Sequence, residues 1–144
     1  MRKATHVAAG VLLATYFPLD PIMAISGAIF PDIDIVYDHR KLLHNMWFLM
    51  IAFAYNFSFG VGVLSHVLLD MLTVYGVALL WPISSSRFRL ATFRTGGVVD
   101  RLLFYLFAVL IAVRLYGTVH TVGIDHAVQE VVQRLYHLTS YVQV

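Results

Sequence analysis

Residues 42–86 read LLHNMWFLMIAFAYNFSFGVGVLSHVLLDMLTVYGVALLWPISSS, and Asp70 is the only Asp, Glu, Lys or Arg among them. A bilayer-crossing helix takes about 20 apolar residues. The stretch 43–80 is therefore read as two spans, 43–58 and 61–80, with Asn56-Phe57-Ser58-Phe59-Gly60 as the break. Two such spans set the class of the chain as a membrane-embedded, all-α protein, because backbone in hydrocarbon must satisfy its own hydrogen bonds.

Composition agrees. The 144 residues are 60% apolar, against about 45–50% in soluble proteins. Charged residues are 12%, against about 25%, and the mean hydropathy is +0.78. So small a soluble globule has too much surface to hide that apolar content. This excludes an ordinary cytosolic enzyme and a disordered chain. With no cysteine there is no disulfide framework, thiolate zinc site or cysteine nucleophile. A net charge of +2 gives no nucleic-acid footprint.

Upstream, the apolar region 4–30 is cut by Phe17-Pro18-Leu19-Asp20-Pro21, a turn signal. Each half is short for a span, so the region is expected to form a tight helical hairpin. Arg2-Lys3, the apolar core and Ala24-Ile25-Ser26 would also suit a signal peptide; the segment is taken as retained. Downstream, 101–120 makes a further span. In 123–142, Ile124, Val128, Val131, Val132, Leu135, Leu138 and Val142 recur at helical spacing opposite Asp125, Gln129, Glu130, Gln133, Arg134 and His137, an amphipathic helix.

The expectation is one domain, 1–144. It is a polytopic α-helical bundle with an N-terminal hairpin (4–30), a motif loop (31–42), two spans (43–80), a basic loop (81–100), a third span (101–120) and the amphipathic helix (123–142). Arg2, Lys3, Arg40, Lys41, Arg87, Arg89, Arg94 and Arg101 then fall on one side, leaving Arg114 and Arg134 beyond. The positive-inside rule puts the N-terminus and the loops 31–42 and 81–100 in the cytoplasm of a multi-pass plasma (inner) membrane protein.

Ionisable groups within apolar spans cost on the order of 2.5–3.5 kcal/mol each, which makes them functional candidates. His6 opens the first helix. Asp32 and Asp34 close the second, Asp38, His39, Arg40 and His44 follow, and His66 and Asp70 lie inside a span. His66 and Asp70, four apart, share a helical face. Each motif alone has a plainer reading: a buried His–Asp hydrogen bond, aspartates shaping a turn, solvated loop histidines. Together, imidazoles and carboxylates without thiolates suit zinc, manganese or iron. They are too many for one tetrahedral ion and fit a two-metal centre that activates water. Arg40 suits a substrate phosphate. The arginines of the basic loop suit anionic head groups or simply set topology. Gly60, Gly62 and Ala52 or Ala54 suit close helix approach.

The order Thr5-His6-x-x-x-Gly10, Pro31-Asp32-x-Asp34, His39-Arg40-x-x-x-His44, Ser65-His66-x-x-x-Asp70 and Trp81-Pro82-x-Ser84 resembles the YdjM-type family over residues 4–84. These are membrane-bound predicted metal-dependent hydrolases, also described as LexA-binding or LexA-regulated inner-membrane proteins. The family is remotely similar to the all-helical zinc-dependent phospholipase C and P1-type nuclease group. The resemblance implies metal ligation by His6, Asp32, His44, His66 and Asp70, with Asp34, His39 and Arg40 as catalytic neighbours. One departure is Leu43-His44-Asn45, where the family usually has Thr-His-Ser.

The expected function is a metal-dependent hydrolase of a phosphate ester or diphosphate of a lipid. It would use one or two divalent ions, zinc first, with manganese or iron as alternatives. The expected partners are the bilayer and a lipid or phosphorylated small-molecule substrate, with a homo-oligomer open. A metal-ion or proton transporter and a regulatory membrane protein with a residual metal site are the alternatives.

Overall fold

The turn signal at 17–21 sets the first two helices. α1 (Lys3–Tyr16) stops before Pro18. Asp20 then caps α2 (Pro21–Ile29), accepting from the Met23 amide at 2.9 Å, and Pro21 takes the first helical position. At Pro31, which has no amide N–H to donate, the chain tightens into a 3-10 turn over Phe30–Val36. The computed structural model describes residues 1–36 and 41–140. Among these the chain is all-helical, with α3 (Met46–Tyr55), α4 (Phe57–Met71) and α5 (Val98–Ser140) completing five α-helices and no strand.

Asn56 makes the break between α3 and α4. Its backbone is extended, and its side chain accepts from the Phe59 amide at 3.0 Å. The two helices have 10 and 15 residues, so they are about 15 and 22 Å long, less than the about 30 Å hydrocarbon core. The two spans put at 43–58 and 61–80 are thus shorter helices. α4 ends because Thr73 captures the Asp70 carbonyl with both its amide (3.0 Å) and its hydroxyl (2.8 Å). Gly76 then turns the chain at φ +60°, where any Cβ would meet the Arg89 side chain and the Phe88 carbonyl. The apolar run after Met71 folds back irregularly, with single bridges pairing Val77 with Phe88 and Thr73 with Phe93.

Among the described residues one helix is long and apolar enough to cross a membrane, the Val98–His126 portion of α5. α5 is unbroken from 98 to 140, where the sequence pattern divides a span from an amphipathic helix. Gly117 and Gly123 lower helix propensity by about 1 kcal/mol each, and no proline follows to stop the helix.

The chain divides into two units, Met1–Ile111 and Ala112–Val144. The second is the continuation of α5, with Tyr116 tilted against His120. In the first, α2 packs against α1 and α4. Close approach comes from Gly27 and Gly62, since a Cβ on Gly27 would land on the Phe59 carbonyl and one on Gly62 on the Ala24 carbonyl. Ala52, Val63, Val67, Met71 and Val77 form one apolar core, with Phe48 and Leu79 against it. A second joins Met1, Ala9 and Leu69 to Leu103 and Phe107 at the start of α5. Asp100, fully buried, locks that start to α1. It accepts from the Thr5 hydroxyl at 2.6 Å, the Arg2 amide at 3.1 Å and the Gly96 amide at 2.7 Å.

Candidate metal centre

Four elements deliver polar side chains to one buried point in the first unit. α1 supplies His6, the 3-10 turn Asp32 and Asp34, the residues before α3 His44, and α4 His66 and Asp70. The three imidazoles are 0% exposed and Asp70 is 1% exposed. In α4, the spacing of four puts His66 and Asp70 on the inner face with Val63 and Val67. In the 3-10 turn, Asp32 and Asp34 turn inward while Ile33 between them is exposed.

His44 is held from both sides of its backbone. Asn45 caps α3 by accepting from the Phe48 amide at 2.8 Å. Its amide group donates to the Lys41 and Leu42 carbonyls at 2.9 and 2.7 Å. Asn45 thus acts as a clamp on the turn that carries His44. The His44 ring is oriented by Asp34, whose Oδ2 faces Nδ1 at 3.1 Å. The His66 ring is oriented by the Ala28 carbonyl, 2.7 Å from its Nδ1. Both acceptors favour a proton on Nδ1, the arrangement in which a neutral ring turns its Nε2 lone pair toward the cluster.

Those two Nε2 atoms lie 3.1 Å apart. Two lone pairs at that separation repel unless a positive centre lies between or beside them. The carboxylates around them fit a cation better than a single shared proton. Asp70 Oδ2 is 3.6 Å from His44 Nε2 and 3.8 Å from His66 Nε2, and Asp32 Oδ1 is 3.7 Å from His66 Nε2. Donors about 2.0–2.2 Å from a common ion lie about 3.0–3.6 Å from one another. The separations of 3.1, 3.6, 3.7 and 3.8 Å lie close to that range.

The other carboxylate oxygen of Asp70 faces away from this set. Oδ1 pairs with the Met1 ammonium and lies 3.4 Å from His6 Nε2. His6 stacks on His66 with ring centroids 3.8 Å apart, and neither of its buried ring nitrogens makes an aligned hydrogen bond. Two donor groups result, His6–His66–Asp70 and Asp32–His44–His66, each with ligand atoms within 4.8 Å of one another. The buried His6 ring, without an aligned hydrogen bond and beside carboxylates, suits a divalent metal.

The structure therefore brings together His6, Asp32, His44, His66 and Asp70, with Asp34 as the group that orients His44. His39 and Arg40, and Asp38 beside them, lie outside the described residues. His44 and His66 meet across the short α3–α4 pair. Sequence reasoning missed the Ala28 carbonyl, which carries no side-chain signal. It also missed Asp100, whose one signal was an acid at the start of an apolar helix.

No curated protein and no solved structure matches the chain. A family model described as YdjM inner membrane protein matches residues 1–131. With its motifs gathered in one buried cluster and the match running through most of its length, the chain belongs to the YdjM inner membrane protein family.

Proposed function

We propose that this protein is a divalent-metal-dependent hydrolase of the inner membrane, acting on a phosphate ester or diphosphate of a lipid or lipid-linked substrate. The observation that carries the reading is the pair of imidazole Nε2 atoms 3.1 Å apart with the Asp32 and Asp70 carboxylates beside them. His44, His66, Asp32 and Asp70 would hold a divalent ion, which would supply a water nucleophile at neutral pH. Zinc suits this donor set first, then manganese or iron. A second ion would take His6 with Asp70 Oδ1, in place of the ammonium that pairs there. The chain's own contribution is positional: Asp34 and the Ala28 carbonyl orient the rings, and Arg40, four residues before His44 in sequence, would meet the substrate phosphate.

A lipid substrate is supported by an apolar groove of about 490 Å³ lined by Phe30, Phe48, Ile51, Tyr55 and Phe59. Phe30 directly precedes Pro31-Asp32, and Phe48 lies one turn into the helix that Asn45 caps, so two of the lining residues adjoin in sequence the segments that carry donors. The same reading keeps the multi-pass arrangement, with the hairpin and the short α3–α4 pair embedded and the N-terminus and basic loop cytoplasmic.

The test is elemental analysis of chain purified without chelators, followed by phosphate release from a panel of lipid phosphates and diphosphates. One or two equivalents of metal, lost in His66→Ala together with turnover, is the expected result. Metal-free protein that takes up none on addition, or turnover indifferent to His66→Ala, refutes the proposal.

A further inference from the structure

The segment between α4 and α5 is absorbed neither by the donor cluster nor by the apolar cores, apart from Leu72, Val77, Ala78 and Leu79. Residues 71–99 contain Arg87, Arg89 and Arg94 and no lysine or acid, so the segment carries three uncompensated positive charges. It is not a loose loop. Residues 88–93 clasp the end of α4 and the residues just beyond it: Leu90 donates its amide to the Met71 carbonyl at 2.8 Å and Phe93 to that of Leu72 at 3.0 Å. Val77 and Phe88 exchange amide–carbonyl bonds at 3.0 and 2.8 Å.

This lobe displays two kinds of side chain together. Ile83, Leu90 and Val98 are 76%, 63% and 65% exposed, with Phe88 and Phe93 also open. Arg87, Arg89 and Arg94 are exposed among them. Arg87 and Arg89 each spend one N–H on a nearby carbonyl, that of Tyr75 at 3.2 Å and of Val74 at 3.4 Å. A guanidinium has five N–H donors, so most remain for an oxyanion. The lobe also runs directly into Val98, where the candidate span begins, which sets it at the depth where lipid head groups meet hydrocarbon.

We propose that the 81–98 lobe is a docking surface for an anionic lipid leaflet: Ile83, Phe88, Leu90 and Phe93 enter the acyl boundary while Arg87, Arg89 and Arg94 bind lipid phosphates. Charge complementarity and continuity with the span select this occupant. A water-facing loop gains nothing from open isoleucine, leucine and phenylalanine side chains, and a purely apolar contact has no use for three unpaired arginines. The proposal is independent of the metal centre.

Trp47 and Trp81 are the only tryptophans, so Trp47→Phe leaves Trp81 in the lobe as the sole reporter. That full-length variant is reconstituted in phosphatidylcholine vesicles doped with nitroxide-labelled phosphatidylglycerol or labelled phosphatidylcholine. The ratio of quenching constants gives the anionic preference. The expected outcome is a preference for phosphatidylglycerol that falls at least about tenfold in Arg87→Gln/Arg89→Gln/Arg94→Gln, at a contribution of about 1 kcal/mol per basic residue. It should weaken with added salt and survive in the triple arginine-to-lysine variant, which also controls for folding. Equal quenching by the two lipids, or a preference unchanged by the glutamines while helix content is intact, overturns it. Absence of quenching by either lipid overturns it as well.

Discussion

His66 belongs to both donor groups, so its loss cannot be local. His6 belongs to one. Replacement of His66 by Ala is expected to empty the site, whereas His6→Ala should remove at most one of two ions and leave the His44–Asp32 side loaded; elemental analysis distinguishes the two. Asp34 touches the His44 ring at the nitrogen remote from the metal position. Outer partners of this kind are worth about 10–100-fold in metal affinity. Asp34→Asn is therefore expected to weaken binding by that factor in a chelator competition while leaving stoichiometry at saturation unchanged. A stoichiometric loss would make Asp34 a ligand rather than an orienting group.

At the scale of elements, the site is only as well placed as the helix ends that carry it. Asn45 serves two purposes, since it caps α3 and ties the turn before His44. Removing a cap costs about 1 kcal/mol. Asn45→Ala should therefore lower thermal stability and metal affinity together. Asn56→Ala, which removes the cap of α4 away from the cluster, should lower stability alone. Asp100 is the third such point. Its carboxylate collects three donors from α1 and the turn before α5. Asp100→Ala leaves the buried Thr5 hydroxyl without an acceptor and frees two partly buried amides, at an expected cost of about 1–3 kcal/mol, read as a drop in unfolding temperature. If α1 is held chiefly by its apolar contacts instead, the variant will melt near wild type.

For the molecule as a whole, orientation is the open measurement. The chain has no cysteine, so single cysteines at Ser85 and His126 report without background. Opposite accessibility to a membrane-impermeant thiol reagent is expected across the Val98–His126 span; equal accessibility from one side rejects the topology. Much of the arrangement was legible in the chain. The prolines at 18 and 21 and the break at Asn56 lie where residue types put them, and the four-residue spacing of His66 and Asp70 predicts their common face. The end of α4 was not legible, because hydropathy continues unchanged past Met71. What stops the helix is a threonine hydroxyl and a glycine at positive φ. Nor could sequence spacing pair Asp34 with His44, since that contact depends on the path the chain takes between them.

The latch between Thr5 and Asp100 joins positions separated by 95 residues, and this distance has a meaning for biogenesis. A chain made from its N-terminus exposes His6 long before Asp70 or Asp100 exists to receive it. The hairpin of α1 and α2 can form at once, from neighbours, but the donor cluster closes only after α4 has left the ribosome, and the latch only after α5 has begun. Contacts that distant in sequence are slow to find. Closure of the donor cluster is therefore one of the last events in making this protein, and a chain cut short of α5 would carry the donor residues without the fastening that keeps α1 in place.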